Sequence, residues 1–301
     1  MTVAKTKFNS ELEKQEYVRA CDSSFEARLD EVVKQICETA ELRYLTLSGP
    51  TCSGKTTASK KLVSEFYERG KKVKIISLDD FFRSRAELQR EAEAEGRAVD
   101  FDSERALDLP RLSAFISEIK QGRPAPIPRF DFTLGKAVNS EVFHPGDADI
   151  LIFEGIQAIY PVFTDMIKGM KCLSLIINVE DSLEINGKTV SPRTVRLMRR
   201  LVRDFRFRGA EPDFSFVLWE SVVKNEDKNI LPFTAYADLH INSLLGYEPC
   251  MLKPYLAPLM ESISPSSPYY GRAQELLALL ADIDTVSSDY IPENGLYKEF
   301  I

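Results

Sequence analysis

The stretch Gly49-Pro50-Thr51-Cys52-Ser53-Gly54-Lys55-Thr56 carries G-x-x-x-x-G-K-[ST] in full, the Walker A pattern, and each position in it has a chemical use. Glycines let the loop curl until successive backbone N–H groups and the start of the next helix point at phosphate oxygens. Lys55 then reaches the β- and γ-phosphates of a nucleotide, Thr56 ligates Mg²⁺, and Thr57 stands in the first helical turn. Context decides against an incidental glycine turn. The run Tyr44-Leu45-Thr46-Leu47-Ser48 before the loop is β-prone, and residues 56–69 after it are patterned as a helix that Gly70 closes. Cys52 fits as a small filler inside the loop.

Carboxylates end two apolar strands: Asp79 and Asp80 follow Ile75-Ile76-Ser77-Leu78, and Glu154 follows Ile150-Leu151-Ile152-Phe153. Ligands of open parallel sheets bind outside the carboxyl ends of the strands, so these side chains face the phosphates. One can hold Mg²⁺ while another deprotonates an acceptor hydroxyl. Either alone could be a helix cap or a turn residue; beside a phosphate loop the pair reads as functional.

A third signal is a helix with seven arginines, at 193, 196, 199, 200, 203, 206 and 208, against the single acid Asp204. Helical spacing leaves Met198, Leu201, Val202 and Phe205 for a packed face and gathers Arg196, Arg199, Arg200 and Arg203 in one arc. Such a run is usually a solvated face. In an acidic protein, concentrated guanidiniums suit phosphoryl transfer, which needs cations around the moving group. The expectation is a mobile lid with two or three phosphate-contacting arginines, the others solvated or paired. His144 and His240 have no metal-site surroundings and read as structural.

These residues need a frame. Strands at 73–78, 150–153 and 173–179 alternate with helical stretches and are apolar on both sides, which predicts a parallel α/β sheet covered on both faces. His240-Ile241-Asn242 adds a late strand. Residues 9–40 read as an amphipathic helix with Phe25, Leu29, Val32, Val33 and Ile36 on its buried side. The Pro-, Gly- and Asp-rich segment 121–148 reads as a long functional loop with a small hairpin, and Asn186-Gly187 as a tight turn before Ser191-Pro192, a helix start. The expected division is a helical extension at 1–43, a catalytic domain at 44–250 with its lid at about 184–212, and a second helical extension at 251–301 packed on that domain.

Composition narrows the partners. The chain has 301 residues, 44% of them hydrophobic, and a net charge of −7 from 46 acidic and 39 basic side chains. That balance disfavours nucleic acid. Five scattered cysteines fit a reducing, cytoplasmic setting, and the sequence shows neither a signal peptide nor an apolar run of membrane-spanning length. A homo-oligomer is compatible with all of this.

With these residues in place, residues 44–245 resemble the uridine kinase/phosphoribulokinase family of P-loop kinases. Ser77-Leu78-Asp79-Asp80-Phe81-Phe82 is similar to the family's D-x-F-Y segment, and the resemblance makes Asp79 the acceptor-activating carboxylate. The segment from Asp100-Phe101-Asp102 to Leu107-Asp108 resembles N-F-D-H-P-x-A-x-D, whose internal acid, here Asp102, holds ribose hydroxyls. Ile127-Pro128-Arg129-Phe130-Asp131-Phe132 resembles P-x-Y-D-F, and Glu154 takes the place of the Mg²⁺-binding glutamate. The arginine run resembles R-R-x-x-R-D-x-x-x-R-G, which points to Arg200, Arg203 and Arg208 as phosphate or substrate contacts. The resemblance implies ATP as donor, Mg²⁺ as cofactor and a nucleoside 5′-hydroxyl as acceptor. The matching positions for the family's polar pyrimidine readers are Phe130 and Gly135, and neither offers a polar side chain. Another sugar or polyol acceptor, or a nucleotide-dependent regulatory NTPase, are the competing readings.

Overall fold

The computed structural model describes residues 1–96 and 99–301, with backbone alone at Asn139 and Ser140. In chain order the elements are β1 (Thr2–Val3), α1 (Glu11–Glu38), β2 (Tyr44–Ser48), α2 (Lys55–Glu68), β3 (Val73–Ser77), α3 (Arg85–Ala94), α4 (Leu109–Lys120), β4 (Ala125–Asp131), β5 (Lys136–Phe143) and β6 (Ile150–Glu154). They continue with α5 (Pro161–Met166), β7 (Cys172–Asn178), β8 (Leu183–Ile185), β9 (Lys188–Val190), α6 (Pro192–Arg208), α7 (Pro212–Asn229), α8 (Leu231–Thr234), β10 (Leu239–Asn242), α9 (Glu248–Glu261) and α10 (Tyr270–Leu280).

Five strands form the central sheet in the order β10-β7-β2-β6-β3, with every pair parallel. Leu45, Leu47, Ile152, Phe153, Leu175 and Ile177 are buried, as a sheet covered on both faces requires. The chain leaves the central strand β2 for its first crossover, so the turn after Ser48 opens at the carboxyl edge between β6 and β7. One core cluster joins this sheet to Phe25 and Leu29 of α1, Met251 and Leu256 of α9, and Leu276 of α10. The two helical extensions therefore share the core of the phosphate-loop domain.

The segment 121–148 does contain a hairpin, β4 against β5, with an irregularity at Arg129/Phe130. Asn186 and Gly187, at φ 49° and 77°, make the two-residue turn between β8 and β9, and both positions need the left-handed region that such turns demand. Ser191 accepts a hydrogen bond from the Thr194 N–H (3.1 Å), and Pro192 starts α6. Among the described residues no helix is long and apolar enough to cross a membrane.

Candidate active site

The glycine loop is pinned from behind. A Cβ on Gly49 would lie 2.0 Å from the Ile177 carbonyl oxygen of β7, so only glycine lets the loop leave the sheet this tightly. Gly54 sits at φ 94°, and the buried Cys52 at 57°. The Lys55 ammonium donates to the carbonyls of Gly49 (2.8 Å) and Pro50 (3.1 Å). The first turn of α2 already holds an anion: the Thr57 N–H and hydroxyl each donate to one Glu299 carboxylate oxygen at 3.2 Å. A loop and helix start that bind a carboxylate are chemically fit to bind phosphate.

The arginine helix meets this loop differently from the sequence expectation. A mobile lid would leave its guanidiniums in water, but α6 is packed on α7 and α9, and Arg196, Arg199 and Arg200 are buried. Arg196 donates to the Thr51 carbonyl (3.1 Å) and pairs with Glu226 at 2.6 and 2.7 Å. Arg199, wholly buried, donates to the Cys52 carbonyl (3.1 Å), the Ser243 carbonyl (2.8 Å) and Glu248 (2.8 Å). These two arginines brace the loop through its carbonyls rather than reaching a phosphate. Phe205, assigned by spacing to the packed face, is 42% exposed.

Three more, Arg200, Arg203 and Arg208, form a separate group around one acid. Buried Asp204 takes Arg203 at 2.7 Å, Arg200 at 3.1 Å and Arg208 at 3.4 Å. One carboxylate against three guanidiniums leaves excess positive charge on the side of α6 that carries them. Burial and Asp100 hold the Asp102 carboxyl above its usual range, and Arg200 pulls against them, so the charge of Arg200 reaches Asp102.

The carboxylates are positioned by register and by a turn. Ser77 pairs with Glu154 across β3 and β6, which puts the ends of both strands side by side. Residues Leu78–Phe81 then form a 3-10 turn instead of extending the strand. The turn separates the two aspartates. Asp80 accepts the Phe130 N–H at 3.0 Å and ties the turn to the hairpin, whereas Asp79 is left beside Glu154 and Asp102. The segment carrying Asp102 is stitched to the same turn by the Arg83 N–H to Ala106 carbonyl and Asp108 N–H to Phe81 carbonyl bonds, both 2.8 Å. From below, the Tyr160 hydroxyl donates to the Asp102 carbonyl (2.8 Å) and accepts from Asn225 (3.0 Å).

Crowding shows in the proton affinities. Burial first, then the neighbouring Glu154 carboxylate, pushes Asp79 up to about 7, against the pull of Lys55. Asp102 is raised by burial and by Asp100, and Glu154 by burial and by the charges of Glu299 and Asp80, again with Lys55 opposing. Lys55, Asp79, Asp102 and Glu154 thus form one electrostatic unit. Thr56 is exposed at the mouth of the loop.

Phe130 is the exception. Its ring is only 6% exposed and packs on Phe82 (5.8 Å) and Phe132 (5.2 Å), so it has little face left for a ligand. Phe132, at 54% exposed, is the ring presented at the hairpin tip. Gly135, at φ 65°, closes the β4–β5 turn, and a Cβ there would meet the Arg85 side chain at 2.8 Å. Residues that the sequence did not single out are Tyr160, Asn225, Glu226, Glu248 and Glu299. Nothing in the sequence but a polar side chain at a distance from the motifs marked them.

Comparison with known proteins shows what the chain is similar to. The profile of the Phosphoribulokinase / Uridine kinase family matches residues 45–246. Among curated proteins, the uridine kinase of Lactobacillus helveticus is 26% identical over 194 residues, covering 64% of this chain and 82% of that protein. Uridine-cytidine kinase B of Dictyostelium discoideum is 28% identical over 196 residues, covering 65% and 72%. Among solved structures, the YGR205w protein superposes with a TM-score of 0.53 at 14% identity, over 75% of this chain and 95% of that one, a likeness of fold.

Proposed function

Since the chain belongs to the Phosphoribulokinase / Uridine kinase family, we propose that it transfers the γ-phosphoryl group of Mg-ATP to the 5′-hydroxyl of a nucleoside. The observation that carries this reading is Asp79, held near neutral pKa among Lys55, Glu154 and Asp102 at the carboxyl edge of the sheet. A base with a pKa near the working pH takes up a proton most effectively.

The residues fit their groups. The loop from Gly49 to Thr57 carries the N–H groups and the lysine that phosphates need, and Thr56 with Glu154 would hold Mg²⁺. Few protein ligands suffice for an ion that keeps waters and substrate oxygens. Bound Mg-ATP supplies the phosphoryl group and a polarised leaving group. Asp79 orients the acceptor hydroxyl and takes its proton as the oxygen bonds to phosphorus, while the bridging bond breaks and ADP keeps the electron pair. Lys55, Arg203 and Arg208 balance the charge that spreads over the moving group, and Arg200 does so from beside Asp102. Asp102 grips the sugar diol.

Selectivity rests on that diol. A covered Phe130 and a side-chain-free Gly135 leave the pyrimidine edge to backbone or water, and apolar surfaces sense size more than hydrogen-bonding pattern. The test is a panel of uridine, cytidine, inosine, 2′-deoxyuridine and simple sugars, with ADP release and the phosphorylated product followed by mass spectrometry. Ribonucleosides should raise turnover together and 2′-deoxyuridine should fall well behind. Turnover with sugars alone would move the acceptor to another polyol, and stimulation by a macromolecule alone would replace the kinase reading with a regulatory NTPase.

A further inference from the structure

We infer that residues 296–300 are a built-in competitor of the nucleotide, with the Glu299 carboxylate standing on Thr57 where a phosphate oxygen of the donor belongs. The inference rests on the reading of the glycine loop as a nucleotide site. Lys55, Thr56 and Thr57 are the first three residues of α2, so their N–H groups have no partner within the helix. In a loop of this pattern those N–H groups serve phosphate. Here the third is engaged by Glu299, and the Thr57 hydroxyl bonds the same oxygen.

Three further observations place the segment over the site rather than beside it. The Leu296 Cδ1 lies 2.5 Å from the point a Cβ on Gly54 would occupy, directly against the loop glycine. The charge of Glu299 reaches both Glu154, at the end of β6, and Arg203 on α6, so it is close to both the strand edge and the arginine group. Finally, the residues flanking Glu299 are deeply anchored. Tyr297 is buried with its hydroxyl on Glu248 (3.2 Å), and the Phe300 ring lies 5.0 Å from the Arg199 guanidinium.

Glu299 itself is only partly covered, on a turn fixed at both ends. Its side chain can swing away while Tyr297 and Phe300 stay seated. The neighbouring Glu154 carboxylate repels Glu299, which opposes its seat on Thr57. Nucleotide and Glu299 then exclude each other, and the apparent affinity falls by the fraction of molecules with the latch open.

Calorimetric titration of Mg-ATP into the full chain and into Glu299→Ala and Glu299→Gln tests this. Removing an internal charged competitor should lower Kd by about tenfold for the alanine variant, with a smaller change in the same direction for glutamine, which keeps the shape and an acceptor oxygen. An unchanged Kd in both folded variants removes the latch and leaves the nucleotide site standing. Weaker binding by both variants overturns the inference in another way, by making Glu299 part of the binding site. If neither the folded parent nor the folded variants bind Mg-ATP, the nucleotide reading fails and the latch with it.

Discussion

Behind the glycine loop, two buried arginines hold its carbonyls and are themselves held by Glu226 and Glu248, while in front of it the β4–β5 hairpin leaves Phe132, Leu134, Val138 and Val142 exposed. The donor side is braced by charge taken out of water. The side proposed for the acceptor is a two-stranded ribbon fastened to the site by the Phe130 N–H bond to Asp80 and by packing against Phe82. A triphosphate presents the same chemistry in every turnover, so its cradle gains from rigidity. An acceptor pocket on a small hairpin can change its contents without disturbing that cradle.

The comparison breaks most easily at Glu248. Its carboxylate serves Arg199, the Leu245 N–H (2.8 Å) and the Tyr297 hydroxyl, all within the core. Glu248→Ala leaves a guanidinium buried without its partner, so urea unfolding should show a loss of about 3–5 kcal/mol. Pairing it with Arg199→Met should recover part of that loss, since the stranded charge is then gone. A cost below about 1 kcal/mol for Glu248→Ala would mean the donor side is not braced as described.

A smaller effect is expected where the two sides meet. The Asp79 carboxyl is near 7 in the folded chain and near 3.8 when unfolded, so its charge opposes folding fully above pH 7, and the penalty fades as pH falls toward 4. Asp79→Asn, neutral at every pH, should therefore raise Tm at pH 8 and raise it less at pH 5, while turnover is lost. An equal shift at both pH values would show that Asp79 is not the crowded acid of the group.

The smallest change belongs to the hairpin tip. Phe132→Ala should alter stability by no more than about 0.5 kcal/mol, as exposed positions do, yet raise KM for the acceptor and leave KM for ATP alone. A matching rise in both would join the two sides that the structure separates.

The sequence made the donor motifs legible because they are local. Strand β2, the loop and the first turn of α2 are contiguous, and Asp79 and Glu154 each end an apolar run. The bracing was hidden because ion pairs join distant positions: Arg199 finds Glu248 forty-nine residues on, and Thr57 finds Glu299 after 242. Acids on helices look solvated until the fold shows what covers them. The hairpin within 121–148 was legible, but the bounds of β4 were not, for another reason. Pro126 and Pro128 lie within it, and prolines argue against a strand except where one side needs no ladder partner. Here β4 pairs with β5 alone, and the prolines are accommodated.

The pairing of β1 with β8 bears on the order of events during synthesis. Thr2 lies opposite Leu183, and the Phe8 N–H bonds Asp284 at 2.9 Å, 276 residues away. At about 5–20 residues per second, the ribosome needs roughly 14–55 s between making those two partners. Helix α1 can lean on α2 within that time, but β10, which also covers it, is made far later. Val18, Phe25 and Leu29, buried in the folded protein, sit on a helix whose cover is completed only when β10 is made.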